Sequence, residues 1–353
     1  MLALTRYGNL GASSRVRFLQ YLPFLESSGM KVVVQALISD EMLRQRYGAG
    51  KYSATSQIGA YVRRARVLLQ RSKFDVLWIE KEALPWCPFW VERMLLTGVP
   101  YVIDYDDAVF HNYDLHPRAF VRYLFGKRLD KLMAGAAAII AGNRYLAQRA
   151  TLAGSRDVNI VPTVVDTSRY LSSAVSDSVD DRPRVVWIGS PSTQQYLDAI
   201  RGPLRRLAQK QDFVFRIIGA DKFVIPGVDI ENMRWQEDTE VEDIRRCAVG
   251  IMPLTDSPWA RGKCGYKLIQ YMACGLPVVA SPVGANRDIV EHGVYGLLAD
   301  SDAEWIDSIG RLLADAGARA EMGMAARKRV EDEYSLQAQG PRLLQVLSRA
   351  ASG

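Results

Sequence analysis

Residues Arg261–Ser281 read RGKCGYKLIQYMACGLPVVAS, and the rest of the chain is organised around them. The stretch parses as a loop, a helix, a glycine stop and a buried strand. Gly262, Lys263 and Gly265 make a flexible cationic loop. Tyr266 to Cys274 carries helical spacing, with Leu268, Ile269 and Met272 on one side. Gly275 is a C-terminal stop and Pro277 forbids continuation. The apolar run Pro277–Ala280 suits a parallel strand buried on both faces. Lys267, Gln270, Tyr271 and Cys274 fall at offsets of three and four, so they share a face. Lys267 sits in the first turn, where backbone N–H groups point out unpaired. A helix N-terminus with two lysines is a phosphate-binding arrangement. A surface lysine on an ordinary core helix would be spelled the same way.

At 353 residues the chain is expected to hold two domains. Its 48% hydrophobic and 24% charged residues are ordinary for a soluble globular protein. A net charge of +6 and a pI near 9.1 suit an anionic partner: nucleotide, nucleic acid or anionic lipid surface. Cys87, Cys247, Cys264 and Cys274 show no paired short spacing, and the histidines are only His111, His116 and His292. That pattern reads as reduced thiols in a cytoplasmic compartment, with no zinc site. The opening MLALTRYG lacks the basic region of a signal peptide, and no apolar run approaches a membrane span.

Taken in order, Leu2–Leu4 is a short apolar run followed by Tyr7-Gly-Asn-Leu-Gly-Ala-Ser-Ser14. Ser13 or Ser14 can cap a helix with apolar positions Val16, Leu19, Leu22 and Leu25, ended by Gly29. This is strand, glycine loop and helix, the first unit of a doubly wound sheet, with the loop at the strand's carboxyl end where such sheets bind ligands. Lys31–Leu37 is a second strand. Tyr61–Leu69 reads as a basic amphipathic helix carrying Arg63, Arg64 and Arg66, either a solvated face or a membrane-surface contact. Asp75–Ile79 ends in Glu80-Lys-Glu82, and Tyr101–Ile103 ends in Asp104-Tyr-Asp-Asp107. Core strands seldom need carboxylates at one particular end, whereas sites at the carboxyl edge do. Adjacent Asp104, Asp106 and Asp107 could suit Mg²⁺, but their spacing matches no full ligand set, so no metal site is expected. Asp107 or His111 could instead serve as a general base near a hydroxyl. Arg122–Met133 reads as helical and Ala136–Ala141 as a small-residue strand. Leu171–Pro183 (LSSAVSDSVDDRP) is polar, lacks an apolar period and reads as a linker.

The second half restarts the same grammar. Val185–Ile188, Phe213–Ile218 and Val249–Leu254 read as strands, Gln194 starts a helix, Gly317 separates two late helices, and Leu336–Ala350 is a final amphipathic helix. The expected domains are therefore residues 1–170, a linker over 171–184, a second domain over 185–335 and a terminal helix over 336–353. Both domains are α/β and doubly wound. Neither carries a clean dinucleotide G-x-G-x-x-G, a Walker loop, a serine nucleophile elbow or a zinc pattern.

The stretch YKLIQYMACGLPVVASPVGANRDIVEHGVYGLLAD resembles the donor-site helix, following strand and closing loop of the family 4 (group 1) glycosyltransferases. RVVWIGSPS, FRIIGAD, VGIMPL, GMAARKRVEDEYSL, IIAGNRYLAQRA and IVPTVVD are similar to that family as well. The resemblance covers most of residues 130–340. It implies the GT-B fold, two Rossmann-like domains facing each other across a cleft. It implies a retaining enzyme that binds a nucleotide-diphosphate sugar mainly with the C-terminal domain and a glycan, lipid-linked or small-molecule acceptor mainly with the N-terminal one. It implies no catalytic metal and no separate cofactor. Gly11, Ala12 and Ser13 would then approach the diphosphate or sugar, Gly189 and Ser190 the phosphates, and Gly219 the base. The last helix would return toward the N-terminal domain.

The chain departs from that family in one respect. Two glutamates separated by seven residues are common there, for the sugar and the ribose; Gly262 and Gln270 stand at those positions here. The cations usual after the first C-terminal strand are missing from SPSTQQYL. Lys263 and Lys267 are the substitutes, with Gly265, Tyr266 and Gln270 completing the donor side, because a leaving diphosphate needs positive charge. On this reading Lys267, Asp107 and His111 carry the chemistry, in the cytoplasm or at a membrane's inner face, with no nucleic acid involved. A sugar-nucleotide epimerase of the same fold and a non-catalytic nucleotide-sugar-binding protein stay open as alternatives.

Overall fold

The computed structural model describes residues 1–170 and 182–352, so most of the expected linker lies outside the described residues. Among the described residues, twelve strands build two sheets. The first sheet takes β1 (Leu2–Tyr7), β2 (Val33–Ile38), β3 (Leu77–Glu80), β4 (Tyr101–Tyr105), β5 (Ala138–Ala141) and β6 (Val158–Ile160) in the order β2-β1-β3-β4-β5-β6. The second takes β7 (Arg184–Ile188), β8 (Val214–Ile218), β9 (Asp229–Met233), β10 (Val249–Met252), β11 (Val278–Ala280) and β12 (Gly296–Leu298) in the order β12-β11-β10-β7-β8-β9. Every pairing is parallel. Parallel pairing requires crossover helices on the sheet faces, which explains why these strands are near-continuous apolar runs.

Two compact units follow. One holds Met1–Thr163, Gly262–Cys264 and the chain from Gln339 onward; the other holds the described residues of Val164–Arg261 and Gly265–Ala338. In the first unit Leu4, Leu77, Ile79, Ile103 and Ile139 pack against Leu132, Met133 and Leu146 from helices Arg128–Ala134 and Arg144–Leu152. In the second, alternation along β7 splits the core. Val186 and Ile188 face Leu268, Ile269 and Met272 of helix Tyr266–Ala273, while Val185 and Trp187 face Leu204, Leu207 and Ile309.

Helix Tyr266–Ala273 forms as its spacing predicts, and Gly275 follows it at φ +76°. The amide of Leu276 returns to the Tyr271 carbonyl at 3.0 Å and that of Gly275 to Met272 at 2.9 Å, a Schellman closure that satisfies the helix's last carbonyls. Tyr271 packs its ring where a Gly250 side chain would stand, and its hydroxyl accepts the Ile188 N–H at 2.8 Å. That bond ties the helix to the end of β7.

Several local expectations shift. The first helix is Ala12–Arg17 with Gly11 as N-cap; neither serine caps it, because the Ser14 hydroxyl is held by the Tyr7 amide and Glu80. The expected helix 122–133 is two, Ala119–Phe125 and Arg128–Ala134, parted at Gly126 and Lys127 where glycine weakens helix propensity. The arginine-rich helix runs longer, Ala54–Leu69, and Arg64 is not on a solvated face. Its guanidinium is buried, donating to the carbonyls of Thr5 (2.6 Å), Gln35 (3.0 Å) and Ala83 (3.2 Å). After β7 the chain makes a 3-10 run, Pro191–Ile200, before the α-helix Arg201–Ala208. Gly317 lies inside helix Ala316–Glu333; the break is at Asp315, whose carboxylate caps the Ala318 amide at 2.9 Å.

Candidate functional site

Each sheet has one point where its strand order reverses, and doubly wound sheets bind ligands outside the carboxyl ends of the strands there. In the first unit that point lies between β1 and β3, in the second between β7 and β10. The sequence-predicted residues fall into two groups, one at each.

In the second unit, β7 ends at Ile188 and the chain turns at Gly189. The Gly189 amide donates to the Ile218 carbonyl and the Gly219 amide to the Met233 carbonyl, both at 2.9 Å. Gly219 has φ +84°, a conformation that glycine adopts freely. Lys267 extends from the first turn of its helix until its Nζ lies 3.9 Å from the Trp187 ring centroid and 3.4 Å from Thr193 Oγ1. A side chain at Gly189 would put its Cβ 2.5 Å from Lys267 Nζ, so only glycine leaves the ammonium this place. Gly265 is the N-cap at φ +67°, with no side-chain cap on the amides that follow. Gly189, Gly219 and the Lys267 ammonium thus lie together, and Gly265 and Tyr266 precede Lys267 at the uncapped start of its helix. Ser190 is exposed beside them, its hydroxyl 2.9 Å from that of Ser192. This arrangement can hold a multiply charged anion.

Gln270 sits one turn further on and is buried. Its Nε2 donates to Glu240 Oε1 at 2.7 Å, and the other oxygen of Glu240 accepts from the indole N–H of Trp235. A carboxylate therefore does stand beside position 270, carried on the neighbouring helix Glu240–Arg245. Gly262 groups with the first unit, where an added Cβ would meet Ala108 Cβ at 2.4 Å and its amide nitrogen at 2.9 Å. A glutamate has no room there without backbone movement. Lys263 is in the same short segment, half-buried, with its carbonyl accepting from Asn143 Nδ2 at 2.9 Å.

In the first unit, Gly11, Ala12 and Ser13 lie after β1. Ser13 Oγ is 2.8 Å from Glu80 Oε1 and 2.6 Å from Asp106 Oδ2, and it accepts from Lys81 Nζ at 2.9 Å. Lys81 also pairs with Asp106 Oδ1 at 2.9 Å. Burial opposes the charge on Lys81, but Asp106 and Glu80 more than offset it and hold the ammonium above its usual range. Burial likewise opposes ionisation of Asp106, and Lys81 with Arg17 overcomes it, keeping this carboxyl below the ordinary value. Asp104 is fully buried and is pushed up to about 6 by that burial, although Arg17 donates to it twice, at 2.7 and 2.9 Å. Lys81 has φ +61° without being glycine, a strained backbone of the kind found at functional sites.

Asp107 is half-buried and accepts the amide of Ala108 at 3.0 Å. His111 is buried, with Nδ1 2.8 Å from Asp114 Oδ1 and Nε2 2.8 Å from the Tyr145 hydroxyl. Both of its nitrogens are engaged by neighbours on its own side of the fold. Lys81, Trp187, Thr193 and Glu240 carry the two clusters and were not singled out from the sequence. Only Lys81 left a signal, as the cation inside Glu80-Lys-Glu82 at a strand end. Among the described residues no group of three metal-ligating side chains could hold an ion.

Residues 182–315 match the family model described as Glycosyl transferases group 1. Over those residues the chain is similar to the group 1 glycosyltransferases. Alpha-maltose-1-phosphate synthase of Mycolicibacterium smegmatis is 26% identical over 174 residues, 47% of this chain and 40% of that protein. D-inositol 3-phosphate glycosyltransferase of Xylanimonas cellulosilytica is 43% identical over 65 residues, 18% of this chain and 16% of that one. The chain thus spans less than half the length of these relatives. HepE of Anabaena, solved with UDP-glucose, superposes with a TM-score of 0.73 over 98% of both chains at 16% identity. That likeness concerns the fold, which is GT-B: two Rossmann-like α/β units. The matched stretch contains Gly189, Ser190, Gly219, Gly265, Tyr266, Lys267 and Gln270, the whole of the second cluster.

Proposed function

We propose that the protein is a retaining glycosyltransferase that moves a sugar from a nucleotide-diphosphate sugar to an acceptor hydroxyl on a glycan, a lipid-linked carrier or a small molecule. The second unit binds the donor. Lys267, the uncapped amides after Gly265 and Lys263 stabilise negative charge as the nucleoside diphosphate leaves, so that the protein's own cations serve where other enzymes use a metal. Gln270, oriented by Glu240, hydrogen-bonds the ribose, and Gly219 passes close to the base. The first unit receives the acceptor near the ends of β1, β3 and β4, with Asp107 or His111 positioning or deprotonating its hydroxyl.

One observation carries this reading. A half-buried ammonium, an uncapped helix N-terminus and two glycine turns meet at the reversal point of the second sheet, inside the matched stretch. The names of the relatives and the UDP-glucose bound to HepE support a nucleotide-sugar donor.

The test is turnover of a panel of labelled nucleotide sugars, with and without acceptors, in the presence of EDTA. The expected result is acceptor-dependent release of nucleoside diphosphate, unaffected by EDTA, giving a product with the donor's anomeric configuration. Epimerised donor without acceptor, or tight donor binding without any turnover, would replace this reading with one of the other two.

A further inference from the structure

We infer that the first unit docks on an anionic lipid surface through its outer face at helices Phe89–Leu96 and Ala119–Phe125. The large exposed apolar side chains of the described residues are unevenly shared. Trp86, Trp90, Phe120 and Tyr123, the exposed aromatic ones, all lie on the first unit. Trp90 is 67% exposed, Met94 57%, Phe120 70% and Tyr123 87%, and Leu124 joins them. Side chains of this size normally bury themselves, and a cluster of them on one surface marks an interaction site.

The two helices share one supporting helix. Both pack on helix Arg128–Ala134, and Lys131 of that helix stands over the Phe89 ring at 5.6 Å. Trp86, just before the first helix, contacts His116 at 6.0 Å and Phe125 at 6.2 Å between ring centroids. Trp86 also has φ +61°, a costly backbone for a bulky residue, and remains 48% exposed.

Charge decides the occupant. Between residues 86 and 134 the exposed charged side chains are Arg93, Arg118, Arg122, Lys127 and Lys131, and all are cations. The acidic residues on these helices and their neighbours are buried or paired, Glu92 against Arg128 and Asp114 and Asp130 bridged by Arg149, while Asp104, Asp106 and half-buried Asp107 belong to the cluster at the end of β4. Aromatic side chains ringed by arginine and lysine match the headgroup region of an anionic bilayer, where indole and phenol rings settle at the polar boundary. Among the described residues no helix is long and apolar enough to cross a membrane, so the contact is peripheral. This placement differs from the arginine-rich helix that the sequence suggested, where Arg64 points into the core.

The inference goes beyond the glycosyl-transfer reading and does not depend on it. The full chain is sedimented with sucrose-loaded vesicles of phosphatidylcholine, with and without 30 mol% phosphatidylglycerol (roughly the anionic content that gives a strong surface potential), and no sugar donor is added. The chain should bind the anionic vesicles and not the neutral ones, with binding falling as salt rises. Trp90→Ser with Phe120→Ser should weaken partition at least tenfold on the scale of interfacial aromatic burial. Arg118→Gln with Arg122→Gln should weaken it by roughly thirtyfold, since each cation contributes about tenfold or less at such a surface. All four positions are exposed, and Arg122 gives up only surface bonds to the His116 and Pro117 carbonyls, so melting curves should stay close to that of the unsubstituted chain. Equal binding to both vesicle types, no binding, or binding untouched by either pair would overturn the inference. So would light scattering that shows these side chains joining two copies of the chain with no lipid affinity.

Discussion

Replacing Lys267 by methionine keeps the aliphatic stem and removes only the charge. In the folded protein the ammonium lies 3.9 Å from the Trp187 ring centroid and 3.4 Å from Thr193 Oγ1. Its loss should cost about 1–2 kcal/mol of stability, the range for a cation over an indole at a half-buried site. The effect on reaction is expected to be larger, because a contact to charge that develops as the diphosphate leaves is worth ~3–4 kcal/mol. That corresponds to a fall of roughly 10²–10³ in kcat. The assay is release of nucleoside diphosphate under saturating donor, beside a melting curve of the same preparation. A modest shift in Tm with a two- to three-decade fall in kcat (~3–4 kcal/mol) is the expected pair of results. A kcat within about threefold of the unsubstituted enzyme, less than 1 kcal/mol of barrier, would refute the assignment of Lys267 to the leaving group.

Gly189→Ala places a Cβ within 2.5 Å of both Lys267 Nζ and the Trp187 ring, so it should displace the ammonium and raise the donor KM, measurable by steady-state kinetics. Lys81→Met leaves Asp106 and Glu80 buried without their cation and should destabilise the first unit by about 3 kcal/mol in chemical denaturation. The pH dependence follows from Asp106, whose folded pKa lies below its ordinary 3.8. A depressed acid contributes stability that is present above that ordinary value and lost as pH falls through the folded one. Resistance of the unsubstituted protein to denaturant should therefore weaken on acidification below pH ~4, and Asp106→Asn should show less of that acid limb.

Much of this architecture was legible in the residues. Apolar runs such as Tyr101–Ile103 and Val185–Ile188 suit strands covered on both faces, and Gly275 with Pro277 suits the end of a helix. The turn before that helix was legible as local geometry: Gly265 precedes the helix at positive φ and Lys267 sits in its first turn. Edge strand β9, DIENM, was not, because it is half-exposed and carries no apolar period. The serines after β1 read as caps because a sequence does not tell which partner a hydroxyl prefers; here Glu80, 66 residues away from Ser14, takes it. Glu240 was hidden for the same reason, being supplied to Gln270 from 30 residues earlier. Arg64 and Trp90 show the limit most clearly. Helical periodicity places a side chain on a face, but only the tertiary neighbours determine whether that face is covered.

The most direct test of the central claim is a crystal structure of the chain with a bound nucleotide sugar. The account predicts diphosphate oxygens within hydrogen-bond reach of Lys267 Nζ and of the amides following Gly265. A diphosphate held elsewhere, with Lys267 still lying over Trp187 and touching no ligand atom, would contradict it.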